Sequence, residues 1–564
     1  MKQRFLARMR TVLDEIEQNA PTDLALFEYV DLLTARTPRP TRTLFAAAAE
    51  GDLLTTRALL LRHNADIDAF HVGGMTPMYI AAAHGHTELV GVLADEGGAD
   101  VNLGTPTDST LQLVEAWKDD PPPEWIRGLK RGAAFPLYIA ARNGKVDTVR
   151  ALLQRGAKVD QRTDYPFKET ALWGASRDGR TEVIKLLLDH GADVNEANVD
   201  GQNALHAASV GGHAEAVAFL LSAGAVADVC GGESCAPLHA AAVGGRSHSH
   251  SEIITLLLDT GGVDINQVTG EAHDYPGSTA LMLAAELGHV EAIDILLGRG
   301  ADVSASDDAG ATALSFASDN GHVEAITLLL GRGADANTSD GEGFTPVWGA
   351  AGGGHVEAMK ALLDYTGGGA DVNKVNNTGE TPLYAASQGG HVAAMKLLLD
   401  RGADTSKADT SGKTPVYIAS QNGNADAVHV LLKAGADARV AANNGRTALH
   451  CAARGGYLDV VRVLAETWPT NPLAWRMFLM GGGAASELQD YLAPPANRTT
   501  RNHLPRLYSK PDMMKEIYKY LYKPRYADLN QLDDVGRTAL QLTEAMPTSS
   551  GQEVVTLLRA LSLG

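Results

Sequence analysis

Thiols and imidazoles are the side chains of this 564-residue sequence best suited to chemistry, and one stretch gathers five of them: Cys230, Cys235, His239, His248 and His250. Thiolate with imidazole is a ligand set that zinc accepts. The C-x4-C spacing is looser than that of a zinc knuckle, however. Cys230 falls in a loop, whereas His248 falls in a helix-to-helix turn at the far side of the same unit, so the spacing argues against one shared centre. No phosphate-cradling glycine loop, G-x-S-x-G elbow, H-E-x-x-H or paired C-x-x-C occurs. Aspartates recur mainly in turn positions, where a short carboxylate caps backbone N–H groups. Carboxylates with no enclosing pocket are not catalysts. The expectation is a chain without catalytic residues, metal or cofactor.

The histidines belong to a larger pattern. The phrase T-P-L-H/Y-x-A-A-x-x-G-H, an L-L-L run and G-A-D-V-N return with a period of 33 residues, as from Thr381 to Thr414 and from Thr414 to Thr447. The anchoring position is Arg42, Thr76, Phe135, Thr170, Asn203, Ala236, Thr279, Thr312, Thr345, Thr381, Thr414, Thr447 and Thr538. In this register His206, His239 and His450 take the fourth place, shared with Tyr79, Tyr138, Trp173, Trp348, Tyr384 and Tyr417. His86, His213, His289, His322, His355 and His391 close the phrase.

The pattern resembles the ankyrin repeat family, whose unit is a β-turn and two helices at that period. The resemblance covers residues 42–564. It implies that these histidines hydrogen-bond between repeats, and that the chain binds other proteins.

Each part of the phrase has a physical reason. Thr381 can cap a helix, and Pro382 suits the first helical position because no N–H is needed there. Ala385 and Ala386 keep the inner helix thin, and Gly390 ends it where a left-handed backbone is cheap. The outer helix carries Val392, Met395, Leu398 and Leu399 at helical spacing. One copy cannot bury that stripe and stacked copies can. The expected fold is therefore all-α, an ankyrin-repeat α-solenoid of helix-turn-helix units with β-hairpin loops, about 14 repeats with a helical N-terminal cap.

Composition agrees. Aromatic residues are 5% of the chain and glycine numbers 59, which suits thin helices and frequent turns. A net charge of −20 argues against nonspecific binding of nucleic acid or acidic membrane by the array. No apolar run reaches the length of a membrane span. Three cysteines, Cys230, Cys235 and Cys451, fit a reducing compartment, and a monomeric cytoplasmic or nuclear protein is expected.

Residues 1–40 carry apolar residues on helical faces, Phe5, Met9, Val12, Leu13 and Ile16 and then Leu24, Phe27, Val30 and Leu33, and are expected to cover the end of the stack. Residues 41–470 hold repeats one to twelve, with an insert at 105–134 that includes Trp117, Trp125 and three consecutive prolines. Residues 471–530 form a degenerate repeat interrupted by a basic loop, and 531–564 a closing repeat. Three units depart from the common length: loops lengthen at Tyr165-Pro166-Phe167 and at His273 to Pro276, and the inter-helix turn lengthens at Arg246 to His250.

What remains for function is surface. Arg142, Arg177, Glu286, Asp319, Gln388, Gln421 and Arg454 vary on a concave inner-helix face, and Phe70, Tyr165, Phe167, Tyr275 and Phe344 stand at loop tips, where aromatics make good interface anchors. The candidate partner-binding set is Phe70, Arg142, Tyr165, Phe167, Arg177, Tyr275 and Phe344, with Lys515, Lys519 and Lys523 from the basic segment 497–526. A second reading is a ubiquitin-ligase substrate adaptor, from the faint resemblance of Leu504-Pro505 and Tyr520-Leu521 to a recruiting box. It lacks the cysteine-bearing helix. Asn195 and Asn266 resemble sites favoured by asparaginyl hydroxylases that act on ankyrin repeats, although the same asparagine is a normal turn residue.

Overall fold

The computed structural model describes residues 40–61, 66–70, 75–104, 134–163, 168–228, 236–245, 247–270 and 275–466. The expected N-terminal cap, most of the insert, the basic segment with Lys515, Lys519 and Lys523, the closing repeat, and the candidates Tyr165, Phe167, Cys230 and Cys235 lie outside them.

Among the described residues twelve helix pairs run in order, inner helix first. They are α1 (Pro40–Glu50) with α2 (Leu53–Leu61), α3 (Pro77–His84) with α4 (Thr87–Gly91, continued by a π-turn over Val92–Glu96), α5 (Pro136–Arg142) with α6 (Val146–Gln154), and α7 (Ala171–Arg177) with α8 (Thr181–Asp189). Next come α9 (Ala204–Gly211) with α10 (Ala214–Ser222), α11 (Pro237–Gly244) with α12 (His248–Asp259), α13 (Ala280–Glu286) with α14 (Val290–Gly298), and α15 (Ala313–Asp319) with α16 (Val323–Gly331). The series ends with α17 (Pro346–Gly352) and α18 (Val356–Leu363), α19 (Pro382–Gly389) and α20 (Val392–Asp400), α21 (Pro415–Asn422) and α22 (Ala425–Lys433), and α23 (Ala448–Gly455) and α24 (Leu458–Glu466). The fold is an all-α repeat solenoid.

The chain divides into two compact units, Met1–Ala284 with His289–Asp308, and Ala285–Gly288 with Ala309–Gly564. Inside each, an inner helix packs on the inner helix before and after it, α3 through α11 in the first and α15 through α23 in the second. That neighbour packing explains why inner helices are buried nearly all round: every residue from Pro382 to Ser387 is buried. An inner helix of leucines would hold its neighbours apart, so alanine is needed on the contact faces.

The repeat phrase does what its chemistry demands. The hydroxyls of Thr76, Thr170, Thr345 and Thr381 accept hydrogen bonds from the backbone N–H three residues on, at 3.1–3.3 Å. Gly390, at φ 73°, ends α19 in the left-handed region as expected. On α20 the buried stripe is Ala394, Met395, Leu397 and Leu398, while Val392 and Leu399 are only half-buried. The stripe is therefore rotated slightly from the one read from the apolar letters.

Loops are tied across repeats by asparagine. Asn195 Oδ1 accepts from Val226 N at 2.8 Å while its Nδ2 donates to Gly224 O at 3.3 Å. Asn373 makes the same pair with Asp404 N and Gly402 O, and Asn266 Oδ1 accepts from Asp302 N. The structural duty of Asn195 and Asn266 is thus the ordinary one for their position.

The expected β-hairpin loops are short: among the described residues bridging is confined to isolated positions, Val268 with Thr279 and again at Ser306 and Thr312, so no extended ladder forms. One expectation needs correction. The sixth repeat does not lengthen its inter-helix turn by all of Arg246 to His250. His248, Ser249 and His250 are instead the first turn of the 12-residue α12. Ser247, extended at φ −113° and ψ 145°, starts that helix and its hydroxyl meets His250 Nδ1 at 2.7 Å. The extra residues are absorbed as helix because a helical turn satisfies backbone groups that a longer loop would leave to water.

Candidate functional site

The histidines could do chemistry, and the structure commits them elsewhere. The Nε2 atoms of His86, His213, His289, His322 and His355 lie 2.8–3.0 Å from the carbonyls of Ala49, Arg177, Val243, Glu286 and Asp319, each at the end of the preceding inner helix. Those carbonyls have no intrahelical donor, so the imidazole satisfies them. In the sixth repeat His250 takes this place, with Nε2 3.5 Å from Val210 O. His239 Nε2 bonds Gln267 O at 2.9 Å and His248 Nδ1 meets Glu291 at 2.9 Å, so neither is directed at a common point. Among the described residues no group of three or more His, Cys, Asp or Glu could hold a metal ion. His206 is buried beside His239, and burial first, then that neighbour, pushes it down to about 4.

The surface that remains is the edge along the carboxyl ends of the inner helices. In the first unit the eighth position of the phrase reads Arg142, Arg177, Val210 and Val243 along α5, α7, α9 and α11. Arg142 is half-buried, and its Nε reaches Asp178 Oδ2 at 3.1 Å. Arg177 is exposed, with its guanidinium carbon 5.4 Å from the centre of the Trp173 ring. Val210 and Val243 are 50% and 44% exposed, although both lie on inner helices whose other apolar side chains are buried. Beneath this row Tyr138 donates its hydroxyl to Glu169, and burial and then Glu169 raise the phenol far above its usual range.

The second unit presents Asp319, Gly352, Gln388, Gln421 and Arg454 at the same position of α15, α17, α19, α21 and α23. Asp319 is open to solvent yet closely ringed by protein. That crowding, and next the charge of Asp340, pushes its carboxyl up to about 6.

The predicted loop aromatics divide. Phe70 is 47% exposed and Tyr275 is 38% exposed. Phe344 is half-buried and packs on Trp348, with ring centres 4.2 Å apart, so it is a packing residue as much as a tip. Phe344 directly precedes its anchor and meets Trp348, whereas Phe70 and Tyr275 stand six and four residues before theirs. Sequence reasoning missed Val210 and Val243. Their signal was available: valine stands where most of the other repeats carry charged or polar residues.

No helix among the described residues is long and apolar enough to cross a membrane. Sequence models of known families match most of this length. One described as ankyrin repeats in three copies matches residues 137–230, 224–307, 314–409 and 401–472, and another described as ankyrin repeats in many copies matches 44–93.

Proposed function

The chain belongs to the ankyrin repeat family, whose repeats are generally protein-interaction modules, and we propose that it is a noncatalytic scaffold that holds protein partners on its inner-helix edge and loop tips. The observation that carries this reading is the first unit's row of Arg142, Arg177, Val210 and Val243. Two cations followed by two exposed valines on helices that otherwise bury their apolar residues is a surface suited to a partner with acidic and then apolar groups. Neighbouring inner helices lie roughly 8–10 Å apart, about the span of three residues of an extended chain at ~3.3 Å each. A partner segment laid across them therefore presents every third side chain to successive repeats.

Phe70 and Tyr275 extend the contact at the loops, and Tyr165, Phe167 and the basic segment with Lys515, Lys519 and Lys523 are further candidates. Proximity labelling in the native cell tests the reading. Arg177→Glu with Val210→Lys is expected to remove a defined set of labelled partners at unchanged melting temperature. An unchanged partner list would remove the first unit's edge from the account.

A further inference from the structure

Comparing repeats of the second unit exposes a missing hydrogen-bond donor. Asp409 opens its loop with Oδ1, which accepts from Ser411 N and Lys413 N. Its Oδ2 accepts the hydroxyl of Tyr384 at 3.1 Å, from the fourth position of the preceding repeat. Asp340 holds the corresponding loop place, five residues before the Thr anchor, and its Oδ1 likewise accepts from Glu342 N and Phe344 N. The residue 25 positions before it, where Tyr384 stands before Asp409, is Ser315. That hydroxyl is too short to cross, and it turns back to Thr312 of its own cap. Asp340 Oδ2 is thus left without a donor among the described residues.

Asp319, one turn along α15 from Ser315, likewise makes no side-chain hydrogen bond or ion pair among the described residues. Its carboxylate lies in space vacated by Gly349, where an added Cβ would come within 1.6 Å of Oδ1. The next turn of α17 is also bare. A Cβ on Gly352 would meet only Ala385 Cβ and Trp348 Cζ3, each at 3.9 Å. The half-buried Trp348, packed at a tilt against Phe344, thereby borders an open notch.

We infer that this notch, formed by Asp319, Asp340, Trp348 and Gly352, receives an arginine side chain from an extended segment of a protein partner. The chemistry is complementary at each point. The Asp319 carboxylate and the free Oδ2 of Asp340 match the fork of a guanidinium, and the indole offers a face for it to stack on. Arginine supplies the donor that tyrosine supplies one loop further on. The raised carboxyl of Asp319 agrees, since crowding first and then the like charge of Asp340 push it up with no compensating cation. The inference deepens the scaffold reading and rests on it, by assigning this unit a partner group opposite in charge to that of the first.

The test uses the full chain with 5-fluorotryptophan, the Trp348 resonance being identified by Trp348→Phe. The probe is the blocked peptide Gly-Gly-Arg-Gly-Gly, and its neutral counterpart carries citrulline in place of arginine. The Trp348 resonance is expected to move saturably with the arginine peptide. Citrulline, or Asp319→Asn, should weaken the effect roughly tenfold or more, since each removes a charge-assisted pair. Gly352→Leu, which fills the notch at a helical position where a side chain meets no backbone, should abolish it. Glu324→Gln, removing the same charge from the first turn of α16, should change nothing. Melting curves verify that each variant folds. A Trp348 resonance unmoved by arginine, moved equally by citrulline, or equally responsive in Asp319→Asn overturns the inference. If it is overturned while partner labelling still depends on Arg177 and Val210, only the notch falls. A working notch with no partner dependent on the inner-helix edge would sink the scaffold reading instead.

Discussion

Tyr384 and Ser315 hold the same place in two repeats of one unit, and the surfaces beside them differ entirely: one carboxylate is satisfied from within, the other waits for a donor. The same contrast holds between the two units. Arg142, Arg177, Val210 and Val243 occupy the eighth position in the first, whereas Asp319, Gly352, Gln388, Gln421 and Arg454 occupy it in the second. Caps, alanines, closing glycines and cross-repeat imidazoles recur in both. The lesson is that stacking constrains the buried positions and leaves the edge free, so one architecture carries two different surfaces.

The largest effect should come from breaking what the units share. Leu329 is fully buried on α16, and Leu329→Asp places a carboxylate among apolar neighbours. A loss of more than about 4 kcal/mol is expected by urea denaturation. Hydrogen exchange should show α15 and α17 losing protection before α23. Uniform loss across that unit would contradict neighbour-only coupling.

Acid sharpens the comparison, because the two units contain groups shifted in opposite senses relative to acid stability. His206 is held down to about 4 by burial and by His239, against an unfolded value near 6.5. Its stabilising contribution is whole above 6.5 and is lost as pH falls toward 4, by about 3 kcal/mol at ~1.4 kcal/mol per unit. Asp319 is raised to about 6 by crowding and by Asp340, above its unfolded 3.8. The folded form therefore binds the proton first, and acidification from 6 toward 3.8 stabilises it. Urea titrations from pH 7 to 4 should show His206→Gln flattening the acid loss and Asp319→Asn steepening it. Matching slopes in both variants and the wild type would remove these assignments.

The smallest effect separates two caps. Thr381 accepts from Tyr384 N, and Thr381→Ala should cost about 1 kcal/mol. Thr414 makes no side-chain cap, and its buried Oγ1 has no partner. Thr414→Val should therefore cost almost nothing, and equal losses from both would show that the hydroxyl bond is not what the anchor contributes.

Much of this was legible from residue types alone. Thr-Pro, Ala-Ala and Gly-His each have one local use, so spacing placed Thr381, Pro382 and Gly390 correctly, while the imidazole-to-carbonyl bonds were what the family resemblance implied. The notch was not legible in the same way. It depends on Ser315 standing 25 residues before Asp340, on Gly349 making room for a side chain from another helix, and on Phe344 turning inward onto Trp348. Such facts are relations between repeats, and a phrase read repeat by repeat does not contain them. The sixth repeat failed for a related reason: five polar residues read as a turn, while α12 gained a turn and His250 took over the cross-repeat place.

Hydrogen exchange on the full chain, alone and with a partner captured through it, tests the central claim most directly. The account predicts that the partner slows exchange at the carboxyl ends of α7, α9 and α11, around Arg177, Val210 and Val243, and leaves α8, α10 and α12 unchanged. Protection confined to those outer helices would contradict it.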